Sequence, residues 1–256
     1  TALLRAAGAG QRDVAEHLLN AGADPTVTAA SGITPLAAAV NARRESVVEL
    51  LLARGVDVDQ RLPGDATALM IAATLGYPEI ADMLLARGAN ANAEDAHGHT
   101  ALHAAAQYCF GGSDSLRARR LLDIVIGKGA DVNKADKDGA TPLLLLLGAH
   151  MRPGSAADAT HLGALVPVLL DAGAKLEHAD HRGVSALHAS AMHALLPPAR
   201  VLLHRGASRQ AADAFGRTAG DVARHLGFVD IAHELGTRVG AIPSVRQTLR
   251  QPAQPD

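Results

Sequence analysis

Histidine is the residue type with the most scope for chemistry in this chain, which carries thirteen of them. His97, His99 and His103 cluster, and His178 and His181 form a second close pair. Imidazoles bind metals and exchange protons near neutral pH, and zinc requires three or four ligands that converge. The spacing allows one such arrangement between adjacent turns, His97 or His99 with Asp138. Against it, His103 belongs to a recurring phrase, and His97 and His99 flank the turn glycine Gly98. The sequence therefore favours a solvated polar edge and no metal. Cys109 is the single cysteine. Beside Gly111 and Gly112 it has the superficial setting of a nucleophile, but nothing aligns a cysteine, a histidine and an acid. No Gly-x-x-x-x-Gly-Lys phrase is present to cradle phosphate. No catalytic residue, no cofactor and no enzyme are expected.

The elements that must carry these residues follow from composition. Hydrophobic residues make up 48% of the 256, yet only 2% are aromatic. A core of Ala, Leu and Val calls for thin, closely packed helices. A net charge of −2 argues against a nucleic-acid or anionic-membrane partner for the chain as a whole. One cysteine excludes a disulfide framework and is compatible with a cytoplasmic location, the one favoured, as well as an exported one. No stretch reaches the roughly eighteen apolar residues needed to span a bilayer. Arg outnumbers Lys twenty to four, a bias that suggests GC-rich coding and a bacterial source.

Self-similarity organises the rest. A Leu-Leu phrase closed by glycine ends at Gly22, Gly55, Gly88, Gly129, Gly173 and Gly206, at intervals of 33, 33, 41, 44 and 33. A second phrase, Thr-(Pro/Ala)-Leu, starts at Thr1, Thr34, Thr67, Thr100, Thr141, Ser185 and, with Gly for Leu, Thr218, and it shares the same two departures. Thr or Ser caps a helix and Pro fits the position after it. A short helix such as Thr67–Ala73 leads to a second such as Pro78–Leu85, and the glycine ends that helix in a left-handed conformation. One helix pair cannot bury both apolar faces, so stacking is required. The fold expected is an all-α solenoid of seven helix-turn-helix units over residues 1–236. A polar tail would follow over 237–256. The chain opens without the turn that precedes every other unit, so its termini are expected to be those of a fragment or a mature form.

These phrases resemble the ankyrin repeat family. The nearest unit runs Asp95-Ala96-His97-Gly98-His99-Thr100-Ala101-Leu102-His103-Ala104-Ala105, and Gly129-Ala130-Asp131-Val132-Asn133 matches the family's closing phrase. The resemblance implies L-shaped units with projecting β-hairpin loops and a concave face that binds proteins. Few family members carry catalytic residues in the repeats. The family histidine is kept at His103 and His188. Its local hydrogen bonding is expected to be lost at Leu4, Ala37, Met70, Leu144 and Asp221. Gly64 falls one place early, beside Pro63 and Asp65, so that turn should be distorted.

The family pattern places His97, His99, Lys137, Asp138, His181, Arg182, Phe215 and Arg217 on the loop tips facing the groove. The ends of the first helices add Gln107, Tyr108, Met192 and His193. Replacing Tyr108 and Phe215 by Ala is expected to weaken binding without loss of helix. Two insertions, near 109–119 and 148–163, lengthen neighbouring units and are expected to form adjacent surface loops on the edge opposite the tips. Asp158 is placed to start a backward extension of the following helix. The function implied is a monomeric protein–protein interaction module. The alternatives are a targeting or regulatory arm of a larger effector or membrane-associated protein, self-association through an uncapped end, and, least supported, an intrinsic enzyme.

Overall fold

The computed structural model describes residues 1–112 and 114–236. The tail read at 237–256 lies outside the described residues. Within them the chain forms fourteen α-helices in seven consecutive pairs. The pairs are α1 (Ala2–Ala9) with α2 (Arg12–Asn20), α3 (Pro35–Asn41) with α4 (Glu45–Ala53), and α5 (Ala68–Thr74) with α6 (Pro78–Ala86). Then come α7 (Ala101–Gly111) with α8 (Ser115–Gly127), and α9 (Pro142–Leu146) with α10 (Ala159–Asp171). Last are α11 (Ala186–Met192) with α12 (Leu196–His204), and α13 (Ala219–His225) with α14 (Val229–Glu234).

Each first helix packs on the first helices of its neighbours, from α1 on α3 through to α11 on α13, and the second helices form a parallel row from α2 to α14. The interior is therefore shared along the stack. At one register Leu3, Leu36, Leu69, Leu102, Leu143 and Leu187 are buried, and three residues further on Ala6, Ala39, Ala72, Ala105 and Ala223 allow the neighbouring helix to approach. Burying one such leucine contributes about 1.5–3 kcal/mol, and the next unit covers what the first leaves open.

The first helices start on side-chain caps. Thr34 Oγ1 accepts from the Ala37 amide at 3.1 Å, and Thr67 Oγ1 accepts from Met70 at 3.3 Å. At His103 the Thr100 amide donates to Nδ1 (3.1 Å), so the ring proton is on Nε2, which donates to the Ala140 carbonyl (3.2 Å). His103 thereby ties its own unit to the next tip. Burial, opposed by that carbonyl, pushes its pKa down to about 4. Asp221 corrects one expectation. Its carboxylate accepts from the Thr218 amide (3.0 Å) and hydroxyl (2.8 Å), so the local bonding survives there with oxygen in place of nitrogen.

The projecting β-hairpins are not present. Among the described residues there are no strands, only isolated bridges between Ala179 and Ser185 and between Ala212 and Thr218. The tips close instead as tight turns, four of them capped by an aspartate. Asp95 Oδ1 accepts from the amides of His97 and His99, both at 2.8 Å, and Asp136, Asp180 and Asp213 repeat this two and four residues downstream. One backbone bond closes each turn, as from Asp95 N to His99 O (2.9 Å), and from the third tip onward one joins each tip to the one before it, as from Lys137 N to His97 O (3.0 Å). The tips stack so closely that a Cβ on Gly98, already at φ +81°, would lie 3.2 Å from the Lys137 nitrogen. At the other edge Asn92 and Asn133 stitch units together: Asn92 Nδ2 donates to Gly129 O (2.9 Å) and its Oδ1 accepts from Asp131 N (2.7 Å). The early glycine does distort its turn, where Pro63–Asp65 forms a 3₁₀ turn with Asp65 at φ +60°.

The insertions also differ from expectation. The first makes no loop of its own length. It lengthens α7 to 11 residues and α8 to 13, where α5 and α6 have 7 and 9. The second shortens α9 to 5 residues and sends the chain out irregularly until Asp158 caps α10. That segment returns to the tips, because Arg182 Nη2 donates to Ala149 O at 2.7 Å.

Candidate functional site

The tips and the first helices line a groove containing four hollows in series. One of about 370 Å³ lies among Leu4, Ile33, Ala37, Leu62 and Ile71. The next, of about 330 Å³, is bounded by Asn41, Met70, Thr74, Asp95, His99 and Gln107. A polar one of about 450 Å³ is lined by Asp138, His150, His181 and Arg182. The last, of about 160 Å³, lies between Met192, Phe215, Arg217, Val222 and Leu226. Its character thus runs from apolar through polar to apolar.

Most of the sequence-selected residues lie on this face. His97, Gln107, Lys137, Asp138, His181 and Arg182 are exposed, His99 and Met192 half-buried. Lys137 Nζ donates to Ala96 O (2.7 Å), which holds its stem across the preceding tip. Phe215 is 79% exposed. The Arg217 guanidinium lies 4.9 Å from its ring centroid and donates to Asp213 Oδ2 at 2.7 Å. Burial raises the Asp213 pKa, but the Arg217 bonds and the tip amides outweigh it, so the carboxyl stays below its ordinary range. Asp95 behaves alike: partial burial raises its pKa, and the amides of His99 and His97 with the His99 ring bring it below the ordinary value.

Two of the selected residues are taken up by packing. The Tyr108 ring lies over the turn at Gly76, leaving no room there for a side-chain carbon. His193 is buried, its Nε2 2.9 Å from Gly148 O and its ring edge-on to Phe110 at 5.1 Å between centroids. Tyr108, half-buried, covers the turn between α5 and α6, and His193 braces the start of the second insertion. Cys109 is fully buried, and burial pushes its thiol up to about 12, far from a nucleophile's range.

Sequence reasoning missed two residues, Asp136 and His150. With His99 they form the one group of three metal-ligating side chains found among the described residues, their donor atoms all within 4.8 Å of one another. His99 Nε2 is 3.3 Å from Asp136 Oδ2, and His150 Nε2 is 3.7 Å from the same oxygen. His99 reaches across to the next tip and meets Asp136 rather than Asp138. The aspartate was legible as a recurring tip position. His150 falls in the second insertion, where no repeat indicates direction. His178 and His181 do not join it: His178 Nε2 is 2.8 Å from Gly139 O.

Comparison with known proteins agrees with this architecture. A family model described as "Ankyrin repeats (3 copies)" matches residues 3–95 and 69–148. Ankyrin repeat-containing protein P1E11.10 of Schizosaccharomyces pombe is 44% identical over 54 residues, which cover 21% of this chain and 22% of that protein. The human ASB11 ankyrin repeat domain superposes with a TM-score of 0.72 at 21% identity, over 87% of this chain and 91% of that one, a likeness of fold. The ankyrin repeat domain of Bcl-3 gives 0.71 at 26% identity, over 91% and 98%. Among the described residues no helix is long and apolar enough to cross a membrane. Regular stacking, tip geometry and the matched residues together make this chain a member of the ankyrin repeat family, whose repeats are protein–protein interaction modules rather than enzymes.

Proposed function

We propose that this chain binds another protein along the groove formed by its tips and first helices. The observation that carries this reading is Phe215, a ring 79% exposed at the edge of an apolar hollow in a chain with three phenylalanines. Exposed aromatics beside a hollow are common anchors of binding energy. Ile33, 42% exposed, offers a second apolar anchor at the other end. Between them His97, His99, Gln107, Lys137, Asp138, His181, Arg182 and Arg217 supply polar contacts, with Met192 at the floor of the last hollow. The partner segment is accordingly apolar at both ends and polar in its middle. A prefolded groove avoids much of the ordering cost of association, and the chain acts in it as a monomer.

The test is to capture a partner with the intact chain and compare variants by calorimetry. Phe215→Ala and Ile33→Asp are expected to weaken binding at least about tenfold, while Arg119→Ala on the outer row leaves it unchanged. Wild-type affinity in both groove variants, with loss in Arg119→Ala, would move the interface to the other face.

A further inference from the structure

Four aspartates hold the same place in successive tips, and in each Oδ1 is used to cap two amides. Their second oxygens differ. Asp180 Oδ2 accepts from Arg182 at 2.7 Å, Asp213 Oδ2 accepts from Arg217 at 2.7 Å, and Asp95 Oδ2 lies 3.4 Å from His99 Nδ1. Asp136 has no such partner within its own tip, where Asp138 and Ala140 stand at the equivalent positions. Its side chain is 1% exposed and Oδ2 makes no hydrogen bond. A buried polar atom left unpaired is destabilising, so a ligand that satisfies it is favoured. The two groups that do face it are imidazoles from outside the tip, His99 and His150.

We propose that His99, Asp136 and His150 bind one divalent transition-metal ion of the zinc class. Two imidazole nitrogens and a carboxylate oxygen are a donor set suited to zinc. Ligands held at about 2.0–2.1 Å around a tetrahedral ion stand roughly 3.3–3.4 Å apart, close to the 3.3 and 3.7 Å found from Asp136 Oδ2 to the two rings. Asp95 faces the far nitrogen of His99, the outer-shell carboxylate that orients a ligating imidazole. Asp138, its Oδ2 3.9 Å from His150 Nε2, stands within reach as a fourth ligand. The ion links the tip before α7, the tip before α9 and the segment after α9. It therefore anchors the second insertion over the groove, whatever partner the groove takes.

The full chain, stripped with EDTA, is titrated with ZnCl₂ at pH 7.5 against a chromophoric chelator, with thermal unfolding recorded with and without zinc. One zinc per chain is expected, with a Tm rise of several degrees because only the folded state holds the ligands together. Co²⁺ should give the visible absorption of a four-coordinate complex, and Mg²⁺, which prefers oxygen ligands, should not compete. His150→Ala has no hydrogen bond to lose, and Asp136→Asn keeps the oxygen that caps the turn. Both should retain the wild-type far-UV CD spectrum, weaken zinc at least about tenfold and abolish the Tm rise. His17→Ala, on an exposed second helix, should leave the affinity unchanged. Failure of the wild type to bind zinc, or equal binding in His150→Ala, would overturn the assignment.

Discussion

The two insertions lie in neighbouring units and have opposite fates. The first continues the helices: α7 and α8 each grow, Cys109 and Phe110 are buried, and Tyr108 covers the preceding turn. The second breaks its helix, leaves α9 at five residues and brings His150 back to the tips. The difference follows from their residues. Gln107-Tyr108-Cys109-Phe110 can extend an apolar helical face, whereas Gly148, Pro153 and Gly154 stop one. The insertions meet at Phe110, which packs against Gly148 and His193. The longer helices thus support the base of the irregular segment.

Removing that support should have the largest effect. Phe110→Ala empties a site 3% exposed and is expected to cost about 3–5 kcal/mol, read by urea unfolding. A cost near zero would mean the two insertions are mechanically independent. Gly148→Ala is next: φ is +81° and the new carbon would strike the Phe110 ring, for a loss of about 1–3 kcal/mol by the same measurement.

A pH series separates the two regions further. Burial lowers the His193 pKa, against the upward pull of Gly148 and Ser155 backbone contacts. In the unfolded chain this imidazole takes up its proton near 6.5, and in the folded chain only at lower pH. Above 6.5 it contributes no pH dependence. As pH falls below 6.5 the unfolded state binds more protons and stability declines. His193→Gln should flatten the stability profile between pH 7 and 5 relative to wild type, and parallel profiles would remove His193 as the cause. The smallest effect is expected from trimming the exposed residues Met151–Gly154. Loop closure changes little with length, so the stability change should stay within about 1 kcal/mol. A larger loss would mean that the bond from Gly154 N to Met192 O, 2.9 Å, holds more than a surface segment.

Legibility in the sequence followed the range of the interactions. Units, caps and the glycine stops repeat with the period, and the Asp158 start of α10 was readable because an N-cap acts within one turn. The repeat pattern places Tyr108 and His193 at the ends of first helices, which normally face the groove. The bond to Gly148 buries His193, and Tyr108 lies half-buried over the turn at Gly76. The hairpins follow from family likeness alone; in the structure each tip closes as a single backbone-bonded turn, with isolated bridges only at Ala179–Ser185 and Ala212–Thr218. His150 carried no signal at all.

By itself the sequence determined a stack of helix pairs, because each unit repeats the same local pattern and leaves the same apolar face to be covered. Only the tertiary structure decided that His99, Asp136 and His150 meet. Their convergence depends on where an irregular segment lands against two tips, and that position is set by packing at Phe110 and by the Arg182 bond to Ala149, which no local spacing encodes.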